Sequence, residues 1–163
     1  MFEVQYGTAD DVTPGEVIDL YRRVNHSLPI GEGQVRAMMT QSDAFVTARS
    51  GGRLVGFARG VCDGARGFFT ECKLDPACQG PGAVTRTDGR IEHDSYGIAA
   101  EMARRVLMTM HDAGVSRIDV VAWGTEVDFL QELGFKRQGG LIGMSLRTDE
   151  WTCGVRTPAE AAS

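Results

Sequence analysis

The stretch 71-ECKLDPACQGPG-82 carries the features on which the predicted architecture depends. Its first residues are typical of the end of a strand. Pro76, Gln79, Gly80 and Gly82 follow, a composition typical of a phosphate-binding loop. Such a loop normally opens directly into a helix, whereas a polar run, 85-TRTDGRIEHDS-95, follows here. The next helical pattern begins only at Gly97. The sequence therefore predicts an insertion between this strand and the helix that follows it.

The residues before this stretch predict two helices and a sheet. Thr13 and Glu16 have the spacing of a capping box, and Pro14 occupies the first helical position. Gly51 and Gly52 separate two apolar runs and indicate a hairpin turn. The predicted elements are a strand over 2–7, helices over 13–24 and 33–41, and an antiparallel meander of strands over 44–50, 53–62 and 67–74.

The residues after the insertion predict a second set of elements. Apolar residues at helical spacing predict a helix over 97–114, and the nearly continuous apolar run 117–123 predicts a buried strand. A short helix near 125–133 and a strand pair at 135–138 and 141–147 complete the pattern. We expect one domain over 1–147 and a loosely ordered tail over 148–163.

Composition narrows the class of protein. The chain has 163 residues, 42% of them apolar and 24% charged, which is an ordinary globular balance. The net charge of −5 argues against a nucleic-acid partner. The sequence shows no targeting peptide, no membrane-spanning run and no metal-ligand spacing, which predicts a cytoplasmic protein without a metal. Free thiols are expected at Cys62, Cys72, Cys78 and Cys153.

Three motifs within this order of elements resemble those of the GNAT N-acyltransferase superfamily. They are 54-LVGFARGVCDG-64, the stretch 71-ECKLDPACQGPG-82 and 129-FLQELGF-135. The resemblance covers about residues 2–147 and implies an α/β fold with a mixed sheet. It also implies transfer of an acetyl group from acetyl-CoA to an amine, by direct attack in a V-shaped cleft beside a splayed strand.

The resemblance assigns the donor arm of acetyl-CoA to the end of the fourth strand. Pantetheine would pair with exposed backbone of this strand, as a peptide adds to a sheet edge. One N–H group there would polarise the thioester carbonyl. The residues implied are Cys72, Lys73 and Leu74.

The phosphate-binding motif of the family is divided between two segments of this chain. Its front half corresponds to Gln79, Gly80 and Gly82, and its closing half, which opens the helix, corresponds to Tyr96, Gly97, Ile98 and Ala99. The helix start favours the closing half as the pyrophosphate site. Asp94 stands where the family has Gln or Arg, and a carboxylate there repels phosphate unless it is paired. Arg86 or Arg90 in the insertion would add positive charge.

The resemblance also implies catalytic and acceptor-binding residues. Glu71 lies on the splayed strand, where related proteins often place an acidic residue that deprotonates the amine. The tyrosine that usually protonates the departing thiolate is replaced by Leu130, and Tyr96 is a candidate substitute. His26, in the loop between the first two helices, is a candidate contact to the acceptor.

Two classes of function remain open from the sequence. The leading hypothesis is a single-domain acyltransferase that uses acetyl-CoA and acts on a small-molecule amine. The alternatives are a catalytically degenerate ligand- or partner-binding protein, and an acyltransferase that uses a carrier-protein thioester. They rest on Leu130, on Asp94 and on the insertion. A homodimer is consistent with the resemblance.

Overall fold

Five strands and four helices form within the residues that the computed structural model describes, which are 3–26, 29–81 and 89–148. The strands are β1 (Val4–Thr8), β2 (Ala44–Ser50), β3 (Arg53–Cys62), β4 (Arg66–Leu74) and β5 (Arg117–Asp119). The helices are α1 (Pro14–Arg23), α2 (Glu32–Gln41), α3 (Ile98–Asp112) and α4 (Val127–Glu132). Gly82 and Arg86, both singled out from the sequence, lie outside the described residues.

The strands form one mixed sheet in the order β1-β2-β3-β4-β5. The first four are antiparallel, and β5 runs parallel to β4. One apolar cluster joins α1 and α2 to the sheet, and a second cluster lies under α3 and α4. The predicted mixed α/β class, with helices on both faces of the sheet, is therefore confirmed.

Local sequence signals account for the starts of several elements. The backbone N–H of Thr13 donates to Glu16 at 2.9 Å, and the backbone N–H of Glu16 donates to the Thr13 hydroxyl at 3.3 Å. This is the predicted capping box, and it begins α1. Gly51 and Gly52 both adopt positive φ angles in the β2–β3 turn, as the hairpin prediction requires.

Helix α3 lies close to the sheet because glycines underlie it. A Cβ atom at Gly56 would come within 2.7 Å of the Lys73 carbonyl oxygen and 2.9 Å of the Met102 methyl group. A Cβ atom at Gly60 would meet the Met110 methyl group at 2.7 Å. Because these two positions of β3 carry no side chain, Met102 and Met110 of α3 contact the sheet directly. These contacts set the distance between the helix and the sheet.

The C-terminal strand predictions require correction. No strand forms in 135–138 or 141–147, and β5 ends at Asp119 instead of continuing to residue 123. The run 117–123 is not buried either, since Val121 is 75% exposed. Gly139, Gly140 and Gly143 lower the strand propensity of the last segment, so its apolar alternation does not produce a ladder. Among the described strands, β5 consequently has a neighbour on one side only.

Some sequence expectations concern the residues outside these elements. Most of the proposed tail, residues 149–163, and Cys153 within it lie outside the described residues. Cys62, Cys72 and Cys78 are free thiols. Within the described ranges, no helix is long and apolar enough to cross a membrane.

The close approach at Gly56 predicts a specific stability effect. Gly56→Ala should lower the free energy of unfolding by about 1–3 kcal/mol, because the added methyl group collides with the backbone of β4. Gly33→Ala is the matched control, since a Cβ atom there meets nothing within 4 Å and the residue lies in α2. The control should be neutral or stabilising by about 0.5–1 kcal/mol. Equal urea-denaturation midpoints for the two variants would contradict this account of the helix–sheet contact.

Candidate functional site

A cleft opens where β4 and β5 separate. The two strands pair only over Arg66–Arg117, Gly67–Ile118 and Phe68–Asp119, and β4 then continues to Leu74 beside β3 alone. The register between β3 and β4 shifts so that Glu71 faces Arg59 while Phe69 faces Gly60, which leaves Thr70 as an extra residue. Such a bulge bends its strand and increases its twist. The bulge therefore accounts for the separation of β4 from β5.

The cleft encloses a cavity of about 260 Å³. Its β4 wall is largely polar, and its opposite wall is apolar and aromatic and comes from the segment after β5 and from α4. Lining residues on β4 include Thr70, Glu71, Cys72 and Lys73, and those opposite include Val120, Trp123, Phe129 and Leu130. His26 and Arg90 also line the cavity. This combination of a polar wall and an apolar wall is typical of small-molecule sites.

Backbone groups at the end of β4 face the cleft side of the strand. Asp75 donates its N–H to Val55 of β3 at 2.8 Å, whereas Leu74 donates its N–H to Gly89 on the other side at 3.0 Å. Backbone groups alternate in direction along an antiparallel strand. Cys72, two residues before Leu74, therefore presents its N–H and C=O toward the cleft.

The carboxylate of Glu71 is held in a fixed position. Its Oε1 atom accepts a hydrogen bond from the Tyr21 hydroxyl at 2.8 Å and one from Nε of Arg59 at 2.8 Å. The Glu71 side chain is only 17% exposed. Arg59 faces it directly across the β3–β4 ladder, and Tyr21 reaches it from α1. The three residues form a rigid polar group at the floor of the cleft.

His26 lies beside this group. Its ring centroid is 4.3 Å from that of Tyr21, and Tyr21 packs edge-on against Phe57 at 5.6 Å. His26 also lines the cavity, so the structure brings it to the same opening as Glu71. Its predicted contact with the acceptor remains a prediction.

Gln79 is completely buried and binds backbone groups on two segments. Its Nε2 atom donates to the carbonyl oxygens of Leu74 at 3.0 Å and Arg90 at 2.8 Å. Its Oε1 atom accepts from the N–H groups of Glu92 at 3.0 Å and His93 at 3.3 Å. These partners conflict with the expected direct contact between Gln79 and phosphate, because the amide is already engaged on both sides.

Gly80 and Leu74 are engaged with the same inserted segment. Gly80 packs against Ser95 with a φ angle of 133°, a conformation that favours glycine. The Leu74 N–H and C=O are bonded to Gly89 and Gln79 respectively. The predicted pairing of Leu74 with pantetheine therefore competes with a contact made inside the chain.

The start of α3 is capped by the side chain of Asp94. Its Oδ1 atom accepts from the Ala99 N–H at 3.0 Å, and its Oδ2 atom accepts from the Ala100 N–H at 2.8 Å. Gly97 precedes the first helical residue in a left-handed conformation, and its N–H donates to the Asp94 carbonyl oxygen at 3.1 Å. The predicted helix start is confirmed. The expected use of Ala99 as a phosphate donor conflicts with this cap.

Glu126 contributes a second carboxyl group to the cleft. Its Oε2 atom accepts from the Trp123 N–H at 3.1 Å. Burial raises the pKa of Glu126 above its usual value, and the Trp123 N–H and the positive charge of Lys73 oppose the rise. Glu126 therefore adds a half-buried carboxyl group to the wall opposite β4.

Arg90 brings the insertion over the same wall. Its guanidinium carbon lies 3.9 Å from the centre of the Trp123 ring, a cation–π arrangement. Ile91 beside it is fully buried. Residues 89 and 90 therefore lie against the end of β4 and against the Trp123 wall of the cavity.

The thiol of Cys72 is protonated at neutral pH. Burial raises its pKa well above the usual value, and the negative charges of Asp94, Glu126 and Glu71 add to this effect. A protonated thiol is a weak nucleophile. The surroundings of Cys72 therefore do not suit an acyl-cysteine intermediate.

Leu130 and Tyr96, the residues that bear on protonation of the leaving thiolate, occupy different environments. Leu130 is 5% exposed and lines the cavity, so an apolar side chain stands at the position of the usual tyrosine. Tyr96 is 51% exposed, precedes α3, and is absent from the described lining of the cavity. Its proposed catalytic role would require a different position of the insertion.

Three members of the site were not predicted from the sequence: Arg59, Tyr21 and Glu126. Tyr21 occupies the apolar face of α1, and Arg59 occupies a strand, so neither carries a local signal. Glu126 could have been noticed, because it lies four residues before Leu130 and four residues correspond to about one helical turn.

The fold is that of the GNAT-family acetyltransferases. Over 90% of its length, the chain resembles a probable acetyltransferase of meticillin-resistant Staphylococcus aureus, with a TM-score of 0.68, 14% identity and 99% of that chain covered. It also resembles a GNAT-family acetyltransferase of Streptococcus pneumoniae, with a TM-score of 0.59 and 19% identity over 90% of this chain and 100% of that one.

An aminoglycoside acetyltransferase from an uncultured soil metagenomic sample, in complex with sisomicin, shares the same fold. Its TM-score is 0.61 at 12% identity, over 90% of this chain and 97% of that one. No protein-family model and no curated protein matches the sequence significantly. At these identities the comparisons establish the fold of the chain.

The contacts of Gln79 predict that this residue stabilises the insertion. Gln79→Ala leaves buried backbone groups of Leu74, Arg90 and Glu92 without their partner, so the free energy of unfolding should fall by about 2–4 kcal/mol. Limited proteolysis should also become faster within 89–95. Gln41→Ala, at an exposed position at the end of α2, should change neither measurement. Unchanged proteolysis of Gln79→Ala would show that other contacts hold the segment.

Proposed function

We propose that the protein is an N-acyltransferase that moves an acetyl group from acetyl-CoA to an amine of a small molecule. The proposal rests on one observation above all. Where β4 leaves β5, the fixed carboxylate of Glu71 and the outward-facing backbone of Cys72 line the same cavity. A base and a carbonyl-polarising donor are the two groups that direct aminolysis of a thioester most requires.

The proposed reaction proceeds by direct transfer. The neutral amine nitrogen attacks the thioester carbon, the C–N bond forms and the C–S bond breaks. The proton that the nitrogen loses after the attack passes to the departing sulfur, which leaves as the thiol. The N–H of Cys72 donates to the carbonyl oxygen as negative charge develops there. Glu71 attracts the acceptor as an ammonium ion and takes the proton that this ion must lose before the attack. Among the described residues, hydrogen bonds to Glu71 reach Oε1, so Oε2 is the atom proposed to receive this proton.

The acceptor is proposed to approach from the side of α1 and α2. His26 and Glu71 line that opening, and a negative carboxylate there favours a cationic molecule. The complex of the aminoglycoside acetyltransferase with sisomicin supports aminoglycosides as the first acceptors to test. Arginine, polyamines and simple primary amines extend the panel.

A second candidate function is ligand binding without catalysis. Leu130 favours it, because this buried leucine stands where the family uses a tyrosine to protonate the thiolate. The two candidates differ in a measurable way. An acyltransferase releases thiol in proportion to the acetylated amine formed, whereas a binding protein binds the same molecules without turnover.

The role proposed for Glu71 predicts a kinetic effect. Glu71→Gln should lower kcat/KM with the best amine about 100-fold, because general-base catalysis contributes at least this much, and leave the affinity for the thiol product nearly unchanged. Glu132→Gln, which removes the same charge at an exposed position on α4, should retain full activity. Thiol release and mass spectrometry of the acceptor provide the readouts. Undiminished turnover by Glu71→Gln would remove this residue from the mechanism, and absence of turnover across the panel despite ligand binding would favour the second candidate.

A further inference from the structure

The N-terminus of α3 already holds an anion that belongs to the chain. The carboxylate oxygens of Asp94 accept the N–H groups of Ala99 and Ala100 at 3.0 and 2.8 Å, so both oxygens are used. Free N–H groups at a helix N-terminus attract phosphate because they are unsatisfied donors at the positive end of the helix dipole. Here these two donors are satisfied, and an incoming phosphate would meet the negative charge of Asp94.

The arginines nearest the first turn of α3 are already engaged by a carboxylate of the chain. Glu101 lies in the first turn of α3, and it binds Nε of Arg105 at 2.7 Å. The Arg105 guanidinium also stacks on Tyr6 at 4.6 Å. Burial and the negative charges of Glu101 and Asp94 together raise the pKa of Tyr6. Two arginines of α3, Arg105 and Arg104, are thus engaged by Glu101, at 2.7 and 4.0 Å.

The inserted segment also occupies the outer part of the β4 edge. Gly89 accepts the Leu74 N–H, and Gln79 donates to the Leu74 carbonyl oxygen. Both backbone groups of this residue are therefore used within the chain. The next outward-facing position is Cys72, which lies on the cavity.

The size of the remaining space agrees with these contacts. The cavity of about 260 Å³ lies just below the range of about 300–1,000 Å³ typical of drug-sized ligands. It suits an acyl group, the adjoining end of a thiol arm and an amine. A complete nucleotide-bearing donor would extend beyond it, past the end of β4.

We infer that the donor is recognised through its acyl thioester and the adjoining pantetheine arm, and that its phosphates contribute no binding energy at α3. The donor class is thus an acyl thioester of a pantetheine-type thiol, with or without a nucleotide. This inference rests on the acyltransferase function proposed above. It differs from that proposal because it concerns which part of the donor the protein binds.

Calorimetric titration of pantetheine and of CoA, both as reduced thiols, tests the inference on the intact chain. The two thiols should bind the wild-type protein with dissociation constants within about threefold of each other. In Asp94→Ala, CoA affinity should rise about tenfold relative to pantetheine, because two N–H groups are released and a negative charge is removed. The pantetheine affinity itself should not change.

Two further variants make the comparison specific. Glu101→Gln removes the same unit of charge from the first turn of α3 without releasing the N–H groups of Ala99 and Ala100, so the ratio of the two affinities should change less than in Asp94→Ala. Asp94→Asn retains an acceptor for the helix while removing the charge. It should give a ratio between those of the wild type and Asp94→Ala, and it serves as the test if circular dichroism shows that Asp94→Ala does not fold.

The possible results separate the inference from the proposed function. CoA binding the wild type at least about tenfold more tightly than pantetheine would overturn the inference and leave the acyltransferase proposal intact. An affinity ratio that is the same in the wild type and both Asp94 variants would also overturn it. Binding of neither thiol to any variant would overturn both, because no donor site would exist.

Discussion

The side chain of Gln79 is the contact on which the arrangement of the site depends. A buried amide that lacks its hydrogen bonds is costly, so a fully buried glutamine needs partners on both its oxygen and its nitrogen. Gln79 finds them in the last residue of β4 and in the backbone of 90–93. This single side chain therefore joins the end of β4 to residues 90–93 of the insertion.

The position of the insertion follows from a second constraint, the start of α3. Gly56 and Gly60 let Met102 and Met110 contact the sheet, which sets the position of the helix. Asp94 then accepts the N–H groups of Ala99 and Ala100 in the first turn of that helix. The segment between Gln79 and Asp94 is consequently attached at both of its ends.

The sequence predicted elements whose signals are local and missed those whose partners are distant. The capping box of α1 and the helix start at Gly97 depend on neighbouring residues, so they were predicted correctly. The cap by Asp94 was not recognised, because this residue precedes the N-cap position by three and resembled a damaged phosphate motif. The pairing of Glu71 with Tyr21 spans 50 residues and leaves no pattern in the sequence. The C-terminal strands were wrongly predicted because apolar alternation does not reveal whether a neighbouring strand is available.

The proposed acyl transfer involves two proton transfers of unequal difficulty: deprotonation of the amine and protonation of the departing thiolate. A thiol has a pKa of about 8.5 and an alkylammonium ion one of about 10.4, so at neutral pH the thiolate leaves readily while the amine stays protonated. Deprotonation of the acceptor is therefore the harder proton transfer. Glu71, held by Tyr21 and Arg59, is positioned for that step. In the proposed mechanism, the leucine at position 130 in place of a tyrosine removes the group for the easier of the two proton transfers, and its side chain adds to the apolar wall of the cavity. The arrangement of the cleft is thus compatible with acyl transfer despite the substitution.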